Sequence, residues 1–560
     1  MNGIFTSCSR NLSLPVRVRQ DYYNKKIIIT FSTQTTTAQQ CPYANTNTHT
    51  NTNNNTKKKT KHVKLNHIPS LPFLGSTISS YSGIKFDFND LFAVWPAARK
   101  KFGEFYTIGI PGRGSDINGT VHIIQDPQEM MKVLHAEGKY PTSSSAQGLW
   151  TFRNMYKEYG FGRPGEIMGQ GEDWKLIRSF LQNDLLSPQS ANRYLPGILE
   201  SVKFISKGMP HHAHDLNNFL KLASFDMFCS VLLGAFPRIT DPDTVVDPDD
   251  DAFCHRVANV ISIGSNLTVS PREILLNKMG IKSKAYIEMY NDWTQALDYG
   301  MKKIVELETK KENGLLTDSE EASYWNQAIK RWEEGDTGLT KEEVNKICLI
   351  LFNLSVDTTS TKTAWHLLHV GLNEEVQNTL YAELQSLVQE SDGNLTPEIF
   401  AESKSPYLNA IIRESNRLTC PANLAPIRKL AKDVEVHGHI LKAGSVVAFD
   451  QMSKSMDPEL VEDPFSFRPE RFLPDAVEAR KGTKSEFLDH PLFSGPFGQG
   501  ARRCPGSRVA RNESMALIAQ CVLDWKFVVP GFSHYREVPY GREGLISGPK
   551  LPLFLFESRN

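Results

Sequence analysis

The stretch PFGQGARRCPG, residues 496–506, surrounds one cysteine, Cys504, with glycines, two arginines and a phenylalanine. The sequence that follows has the pattern of a helix, so the sulfur is expected just ahead of a helix N-terminus. Free N–H groups and the positive end of the helix dipole favour a thiolate at that position. Gly498 and Gly500 permit backbone conformations that other residues avoid, and they allow a flat group to approach the loop closely.

Two side chains of this loop add to the environment of the sulfur. Arg502 can reach an anionic group beside the thiolate, and Phe497 offers a ring face that shields the sulfur from water. A thiolate held in this way suits the axial ligand of a haem iron. The eight cysteines of the chain are scattered without a CxxC pair, which weakens zinc-ribbon and disulfide interpretations. The alternative is a buried structural cysteine in a chance glycine-rich loop.

The loop resembles the haem-binding motif FxxGxRxCxG of the cytochrome P450 family. The matching residues are Phe497, Gly500, Arg502, Cys504 and Gly506. The resemblance implies a mainly α (α+β) fold, in which a single large helical domain with small β-sheets encloses the haem. It also implies haem b as the cofactor, with Cys504 as the axial ligand of the iron, and O2 as the cosubstrate.

Two further motifs strengthen the resemblance to the P450 family. In IIRESNRL, Glu414 and Arg417 are three residues apart, so they share one helix face and can pair. They resemble the family's ExxR motif, and Arg471 in FRPERF supplies the third member of its Glu–Arg–Arg cluster. The resemblance implies that this cluster locks the haem-side core. By itself, an ExxR pair is often a surface ion pair.

The segment GEDWKLIRSFL carries Trp174 and Arg178 one helical turn apart. They resemble the family's WxxxR motif, whose side chains bind haem propionates, and Arg428 matches another propionate position. Without the resemblance, Trp174 would be read as a core residue and Arg178 as a surface residue.

Residues 340–371 predict one long helix that begins with a Thr-x-x-Glu capping box and is apolar nearly all round. Its VDTTS segment carries Asp357 and Thr358, which match the family's acid–alcohol pair. The resemblance implies that the threonine hydroxyl helps to deliver protons during oxygen activation. The other interpretation is a hydroxyl bonded to a carbonyl one turn earlier, and both can hold together.

The chain departs from the family pattern just before this pair. Where the family usually has Ala or Gly followed by Gly, this sequence has Leu354 and Ser355. Overpacking a tight site costs about 1–3 kcal/mol unless neighbours adjust. Three hypotheses follow: ordinary monooxygenation in a compensated pocket, a narrowed pocket tuned to one substrate, or rearrangement of a hydroperoxide without external electrons. The retained Asp357 and Thr358 favour monooxygenation.

The 560-residue chain, 40% hydrophobic and 22% charged, has the composition of a globular protein, but its first 66 residues differ. They hold ten basic residues against one acidic residue, and they are rich in Ser, Thr and Asn. This composition predicts a transit peptide-like, low-complexity segment over 1–66, followed by a P450 domain over 67–560. A merely disordered tail is the alternative. No transmembrane helix is predicted, because the longest early apolar run is far shorter than a bilayer span.

Oxygen activation needs electrons, and the sequence shows no flavin or nicotinamide module, so a separate redox partner is expected. The transit-like start and the stretches VDTTS (residues 356–360) and HPLFSGPFGQGARRC (490–504) resemble the mitochondrial branch of the family. This resemblance implies a ferredoxin-type iron–sulfur donor with its reductase and a mitochondrial location; a plastid is the alternative. The basic residues predicted to face an acidic partner are Lys175, Arg413, Lys429, Arg503, Arg508 and Arg511. In that branch two lysines of the ExxR helix contact ferredoxin, and here the matching residues are Asn409 and Arg413.

The resemblance implies an apolar substrate, of the sterol, steroid or another lipid class, and leaves peripheral membrane association open. The candidate pocket residues are Leu354, Asn423, Leu424, Ile427 and 545–549. A non-catalytic haem sensor is the alternative from another functional class. The HHAHD segment, residues 211–215, could bind a metal, but a polar surface turn is the favoured interpretation.

Overall fold

A computed structural model describes residues 63–70, 76, 91–110, 119–143, 150–335, 337–420, 427–494, 496–543 and 546–559. The transit-like segment falls almost entirely outside these residues, so its boundary at residue 66 stays a prediction. Among the helices of the described ranges, none is both long enough and apolar enough to cross a membrane.

Helices make up most of the described chain, which confirms the predicted mainly α fold. The helices of the first part are α1 Leu91–Phe102, α2 Pro127–His135, α3 Trp150–Glu158, α4 Gly171–Gln182, α5 Pro188–Arg193, α6 Leu195–Gly208, α7 Leu216–Leu232, α8 Pro248–Val269, α9 Pro271–Lys278, α10 Lys284–Glu312, α11 Asp318–Ala322 and α12 Tyr324–Glu334. Those of the second part are α13 Lys341–Gly371, α14 Glu374–Val388, α15 Pro406–Leu418, α16 Pro474–Ala479, α17 Pro491–Ser494 and α18 Ser507–Asp524.

The long helix predicted from the sequence is α13, and it runs through the core. Its N-terminus is fixed by the predicted capping box, in which Thr340 Oγ1 accepts from the N–H of Glu343 at 3.2 Å. The Glu343 carboxylate in turn accepts from the N–H of Thr340 at 2.8 Å. Nearly every side of the helix is buried, and α7, α8 and α18 pack against it.

The strands form one six-stranded sheet and three two-stranded ribbons within the described ranges. The strands are β1 Asn66–His67, β2 Phe105–Gly109, β3 Thr120–Ile124, β4 Thr142–Ser143, β5 Ile427–Lys429, β6 Val434–Val436, β7 His439–Leu441, β8 Val446–Phe449, β9 Trp525–Val528, β10 Tyr540–Glu543, β11 Ile546–Pro549 and β12 Leu555–Ser558. The large sheet has the order β1-β2-β3-β8-β5-β4, with β1–β2 and β3–β8 parallel. The ribbons are β10–β11, β12–β9 and β6–β7, all antiparallel.

The six-stranded sheet buries both of its faces. The cross-strand pair Phe105 and Ile124 belongs to one apolar cluster, and the next pair, Tyr106 and Ile123, belongs to a cluster on the opposite face. This alternation follows from the two-residue period of a strand. A larger core surrounds α13, so the sheet and the helical core fix the positions of β5, the Cys504 loop and α13.

Candidate functional site

The loop of Cys504 folds back on itself through its own backbone. The N–H of Cys504 donates to the carbonyl oxygen of Phe497 at 2.9 Å, and the N–H of Arg503 donates to that of Gly500 at 3.1 Å. Gly498 and Gly500 have φ angles of 68° and 78°, in the left-handed region that favours glycine. Helix α18 begins at Ser507, three residues beyond Cys504. The sulfur therefore precedes a helix N-terminus, as the sequence predicts.

Gly500 is required by space as well as by conformation. A Cβ atom at this position would lie 3.0 Å from a carboxylate oxygen of Glu137 and 3.1 Å from the side chain of Leu134. The loop therefore passes close to the end of α2, and Glu137 lies beside it.

The free Cys504 thiol is less acidic than the loop sequence predicts, so the loop by itself does not favour a thiolate. Burial raises the pKa of Cys504, and the N–H of Gly506 together with Arg178 and Arg503 lowers it only in part. Removal of the sulfur from water outweighs the helix terminus and the two guanidinium groups. A bound metal cation supplies the charge that deprotonates a coordinating thiol outright.

Arg502 connects the cysteine loop to helix α4. Its guanidinium donates to the carbonyl oxygens of Pro141 at 2.8 Å and Gly169 at 2.9 Å, and to Gln170 Oε1 at 2.7 Å. The same group lies over the ring of Trp174, 3.9 Å from its centre. Trp174 and Arg502, predicted separately, are therefore in direct contact.

Arg178 and Arg428 lie in the same region. Arg178 is buried on α4, close enough to influence Cys504, and its Nε atom has no hydrogen-bond partner within the described residues. Arg428, on β5, forms an ion pair with Glu137, and both side chains are less than 8% exposed. Its guanidinium also reaches the carbonyl oxygen of Gln499 at 3.4 Å.

The arginines of this cluster fit an anionic cofactor. Burial, and then the positive charge of Arg428, lowers the pKa of Arg502 to about 10, with Glu137 opposing and Arg178 adding to the effect. Among the contacts described, Glu137 is the one carboxylate near the three guanidinium groups of Arg178, Arg428 and Arg502. Guanidinium groups bind carboxylates well, so a buried excess of positive charge next to Cys504 suits the two propionates of a haem.

The middle of α13 presents one accessible face. Thr358 is exposed and Leu354 and Ser355 are partly exposed, although their neighbours on the helix are buried. Thr358 Oγ1 donates to the carbonyl oxygen of Leu354 at 2.9 Å, so the back-bonded arrangement anticipated above is present. Asp357 is buried. Adjacent residues of a helix point to different sides, so Asp357 and Thr358 do not share the accessible face.

The predicted Glu–Arg–Arg cluster is assembled and buried. Arg417 forms a bidentate pair with Glu414, with both hydrogen bonds at 2.7 Å, and Arg471 Nε donates to the same carboxylate at 3.2 Å. Arg417 also donates to the carbonyl oxygen of Pro464 at 2.7 Å. These bonds tie α15 to the segment that contains the PERF motif.

Comparison with known proteins agrees with this geometry. The sequence matches the family model described as Cytochrome P450 over residues 68–556. The chain belongs to the cytochrome P450 family. It is therefore a P450 monooxygenase, with haem b as its cofactor and O2 as its cosubstrate.

Several curated P450s are similar to this chain. Rat mitochondrial sterol 26-hydroxylase is 24% identical over 73% of this chain and 74% of its own length. Human mitochondrial 25-hydroxyvitamin D-1 alpha hydroxylase is 26% identical over 72% of this chain and 77% of its own. The 2-hydroxyisoflavanone synthase of Glycine max is 24% identical over 63% of this chain, and the match spans 66% of that enzyme, just under two thirds.

Two buried acids of this P450 were not predicted from the sequence. Glu137 lies 291 positions before its partner Arg428, so no local spacing connects them. Glu513, on α18, accepts a hydrogen bond from Thr359 at 3.4 Å, while its second oxygen has no partner within the described ranges. Burial raises the pKa of Glu513 to about 8. For Glu513, the signal in the sequence is an acidic residue within the largely apolar helix pattern that follows Cys504.

The basic residues assigned to a redox partner differ in their accessibility. Lys429 is exposed, whereas Lys175, Arg503 and Arg508 are partly buried, and Arg508 donates to the carbonyl oxygen of Leu186. Arg413 is committed to an ion pair with Asp489 at 3.2 Å.

Asn409, which matches a family lysine of the ExxR helix, is not available to a partner. Its side chain is buried, donates to the carbonyl oxygen of Ser405 at 2.8 Å and accepts a hydrogen bond from Arg511. The geometry therefore does not support a role in docking for Asn409, or for Arg511 Nη2, which donates to it.

The candidate pocket residues are described only in part. Ile427 is buried on β5, whereas Asn423, Leu424 and residue 545 lie outside the described ranges. Strand β11 packs directly on α13: Trp365 Nε1 donates to the carbonyl oxygen of Ser547 at 2.9 Å. A Cβ atom at Gly548 would lie 2.8 Å from the Thr361 methyl group, so this strand and the central helix approach closely.

Proposed function

We propose that this P450 hydroxylates an apolar substrate of the sterol, steroid or a related lipid class with electrons from a ferredoxin-type protein in the mitochondrion. The observation that carries the proposal is the accessible face of α13 at Thr358, in a chain whose Cys504 loop adjoins a cationic cluster. A hydroxyl on the accessible stretch of a buried helix is placed to act on a small molecule rather than to stabilise the core.

Each residue of the site has a role in this proposal. Cys504 ligates the iron from the loop, while Arg178, Arg428 and Arg502 bind the propionates and the Trp174 ring supports Arg502. Bound haem supplies the iron that binds and activates dioxygen. The Thr358 hydroxyl accepts a proton on one side and donates one on the other, since its bond to the Leu354 carbonyl can be exchanged for one toward the accessible face.

The shape of the accessible face bears on the choice of substrate. Leu354 contributes an apolar, partly exposed side chain beside Thr358, and Ile427 lies buried on β5. Apolar lining favours a ligand with a large hydrophobic surface. The names of two relatives, a sterol 26-hydroxylase and a 25-hydroxyvitamin D-1 alpha hydroxylase, support the sterol and steroid class.

The electron donor and the location rest on charge and composition. The basic start of the chain is typical of an organelle transit segment, and mitochondrial relatives support that location. Lys429, with Lys175, Arg503 and Arg508, supplies positive charge near the cysteine loop, which would steer an acidic ferredoxin.

A second candidate function is the rearrangement of a lipid hydroperoxide without external electrons. It is favoured by the bulk of Leu354, which stands one turn before Thr358 on the same helix face. The retained hydroxyl of Thr358 favours monooxygenation, because rearrangement needs no proton delivery for dioxygen reduction.

Reconstitution of the purified holoenzyme decides between the two functions. The protein is supplied with a mitochondrial ferredoxin and its reductase, and cholesterol and 25-hydroxyvitamin D3 serve as probe substrates. We expect hydroxylated product that depends on ferredoxin and O2. No consumption of O2 with any electron donor, together with conversion of a fatty acid hydroperoxide, contradicts the proposal and supports the second candidate.

A further inference from the structure

A lysine is buried in the core one turn beyond Thr358 on α13. Lys362 is 7% exposed, and its ammonium group donates to the carbonyl oxygens of Ser415 at 3.2 Å and Thr419 at 3.0 Å. Ser415 lies in the last turn of α15 and Thr419 is the C-cap of that helix. A helix C-terminus attracts a cation, so the ammonium joins the helix that carries Thr358 to the end of the helix that carries Glu414.

The titratable groups around this lysine do not include a neutralising carboxylate among the interactions described. They are His366 and His369 on α13 and Cys420 just beyond the C-cap of α15. His369 in turn faces Arg417 and His534, and the acid that α18 brings to α13, Glu513, bonds to Thr359 instead. Burial, and then Lys362, lowers the pKa of His366 and of His369. The two imidazoles are therefore neutral, and the positive charge of this stretch belongs to Lys362.

Burial of the Lys362 ammonium group opposes folding. Burial lowers its pKa to about 7, an effect that Cys420 only partly opposes. An apolar side chain of similar length would not have to keep a charge out of water, so burial by itself gives no reason for a lysine here. The contribution of Lys362 is therefore better sought in geometry near Thr358 than in stability.

We propose that Lys362 is a positioning residue for oxygen activation, whose two hydrogen bonds hold the Thr358 segment of α13 in register with the end of α15. The proposal rests on the role given to Thr358 in the proposed function. The two residues are four positions apart, about 6 Å along the axis of α13, so a shift at Lys362 is transmitted to Thr358 by the helix backbone.

The test uses the holoenzyme and cumene hydroperoxide, a probe that needs neither the natural substrate nor a redox partner. Heterolytic cleavage of its O–O bond, with both bonding electrons and a proton going to the leaving oxygen, gives cumyl alcohol. Homolytic cleavage leaves the cumyloxyl radical, which loses a methyl radical to give acetophenone. The alcohol-to-ketone ratio therefore reports proton delivery. The variants are Lys362→Met, Lys362→Gln, Thr358→Ala, and the double variant of Lys362→Met with Thr358→Ala.

Thr363→Val is the matched control, because Thr363 is the next residue and its hydroxyl bonds to Ser514 Oγ at 3.1 Å on α18 instead of α15. We expect Lys362→Met and Lys362→Gln to lower the ratio by about threefold or more, the size found for coupled neighbours, while Thr363→Val leaves it unchanged. The double variant should be no worse than Thr358→Ala alone, because Lys362 acts through Thr358.

The pH dependence gives a readout that a merely structural role would not change. In the wild-type protein the ratio should fall as pH rises through about 7, where Lys362 loses its proton, and this step should be missing in Lys362→Met. Amide hydrogen exchange adds a readout independent of catalysis: Lys362→Met should speed exchange in peptides that cover residues 352–360 and 413–419.

Each contrary outcome has its own meaning. A flat wild-type pH profile, a wild-type ratio in Lys362→Met, or independent, additive effects in the double variant overturns the inference, and a flat wild-type profile does so even if no variant folds. A pH step that persists in Lys362→Met also overturns it and assigns the step to Glu513, which bonds to Thr359 and has a pKa of about 8. A wild-type ratio in Thr358→Ala overturns the role of Thr358 in the proposed function instead.

Discussion

The guanidinium of Arg502 lies 3.9 Å from the centre of the Trp174 ring, and this contact joins the cysteine loop to helix α4. The ring face attracts the positive charge, and backbone carbonyls of Pro141 and Gly169 hold the other edge of the group. These protein contacts therefore fix the position of the Arg502 guanidinium without any contribution from a cofactor.

This contact predicts a defect in haem retention. Trp174→Ala should lower the haem content per polypeptide after gel filtration, because Arg502 loses a cation–π contact of about 0.5–2 kcal/mol. Trp174→Phe keeps an aromatic face and should retain most of the haem. Equal haem content in wild-type, Ala and Phe proteins would show that the ring does not help to hold the cofactor.

The buried Glu414 cluster predicts a large effect on stability. Glu414→Ala leaves two buried guanidinium groups without their carboxylate and should lower the free energy of unfolding by about 3–5 kcal/mol. The exposed pair of Lys442 and Asp433 is the control, and Lys442→Met should leave the free energy of unfolding nearly unchanged. Urea unfolding measures both, and equal effects would contradict the structural role of the cluster.

Glu513 predicts a pH-dependent contribution to stability. Its pKa is about 8 in the folded protein and near 4.3 when unfolded, so between these values the folded state holds a proton that the unfolded state has released. The wild-type protein therefore loses stability as pH rises from about 5 to about 8. Glu513→Gln has no such proton to lose. Over this pH range, the free energy of unfolding of the variant minus that of the wild type should therefore rise by up to about 1.4 kcal/mol per pH unit. A pH-independent difference between the two proteins in urea unfolding would exclude a buried, protonated Glu513.

Lys429 provides the cleanest test of the redox-partner surface, since it is exposed. Lys429→Glu should lower ferredoxin-supported turnover several-fold at low ionic strength and less at high salt, because the steering is electrostatic. Lys302→Glu on α10 carries the same charge change as a control. An equal rate for both variants would argue against docking near β5.

Arg413→Glu should also weaken turnover, with an intact haem spectrum, but it additionally breaks the pair with Asp489.

Local patterns predicted local structure well. The capping box at Thr340, the helix that starts just after Cys504 and the pairing of Glu414 with Arg417 depend on residues within a few positions of each other. The contact of Arg471 with Glu414 spans 57 residues, and only the family resemblance pointed to it.

Burial and sidedness could not be predicted from the sequence in the same way. Asn409 and Arg413 look equivalent as polar helix residues, yet one is buried and the other is paired with Asp489. The pKa of Cys504 depends on a balance between burial and three favourable neighbours, which spacing does not reveal. The role of Lys362 has no local signal, because its hydrogen-bond partners belong to another helix.

The spectrum of the reduced, carbonyl-bound protein tests most directly whether Cys504 ligates the haem iron. The wild-type protein should show the red-shifted Soret band of a haem with a thiolate ligand, and Cys504→Ala should lack that band even if some haem is retained. An unaltered band in Cys504→Ala would contradict the assignment of the ligand and, with it, the site built around the cysteine loop.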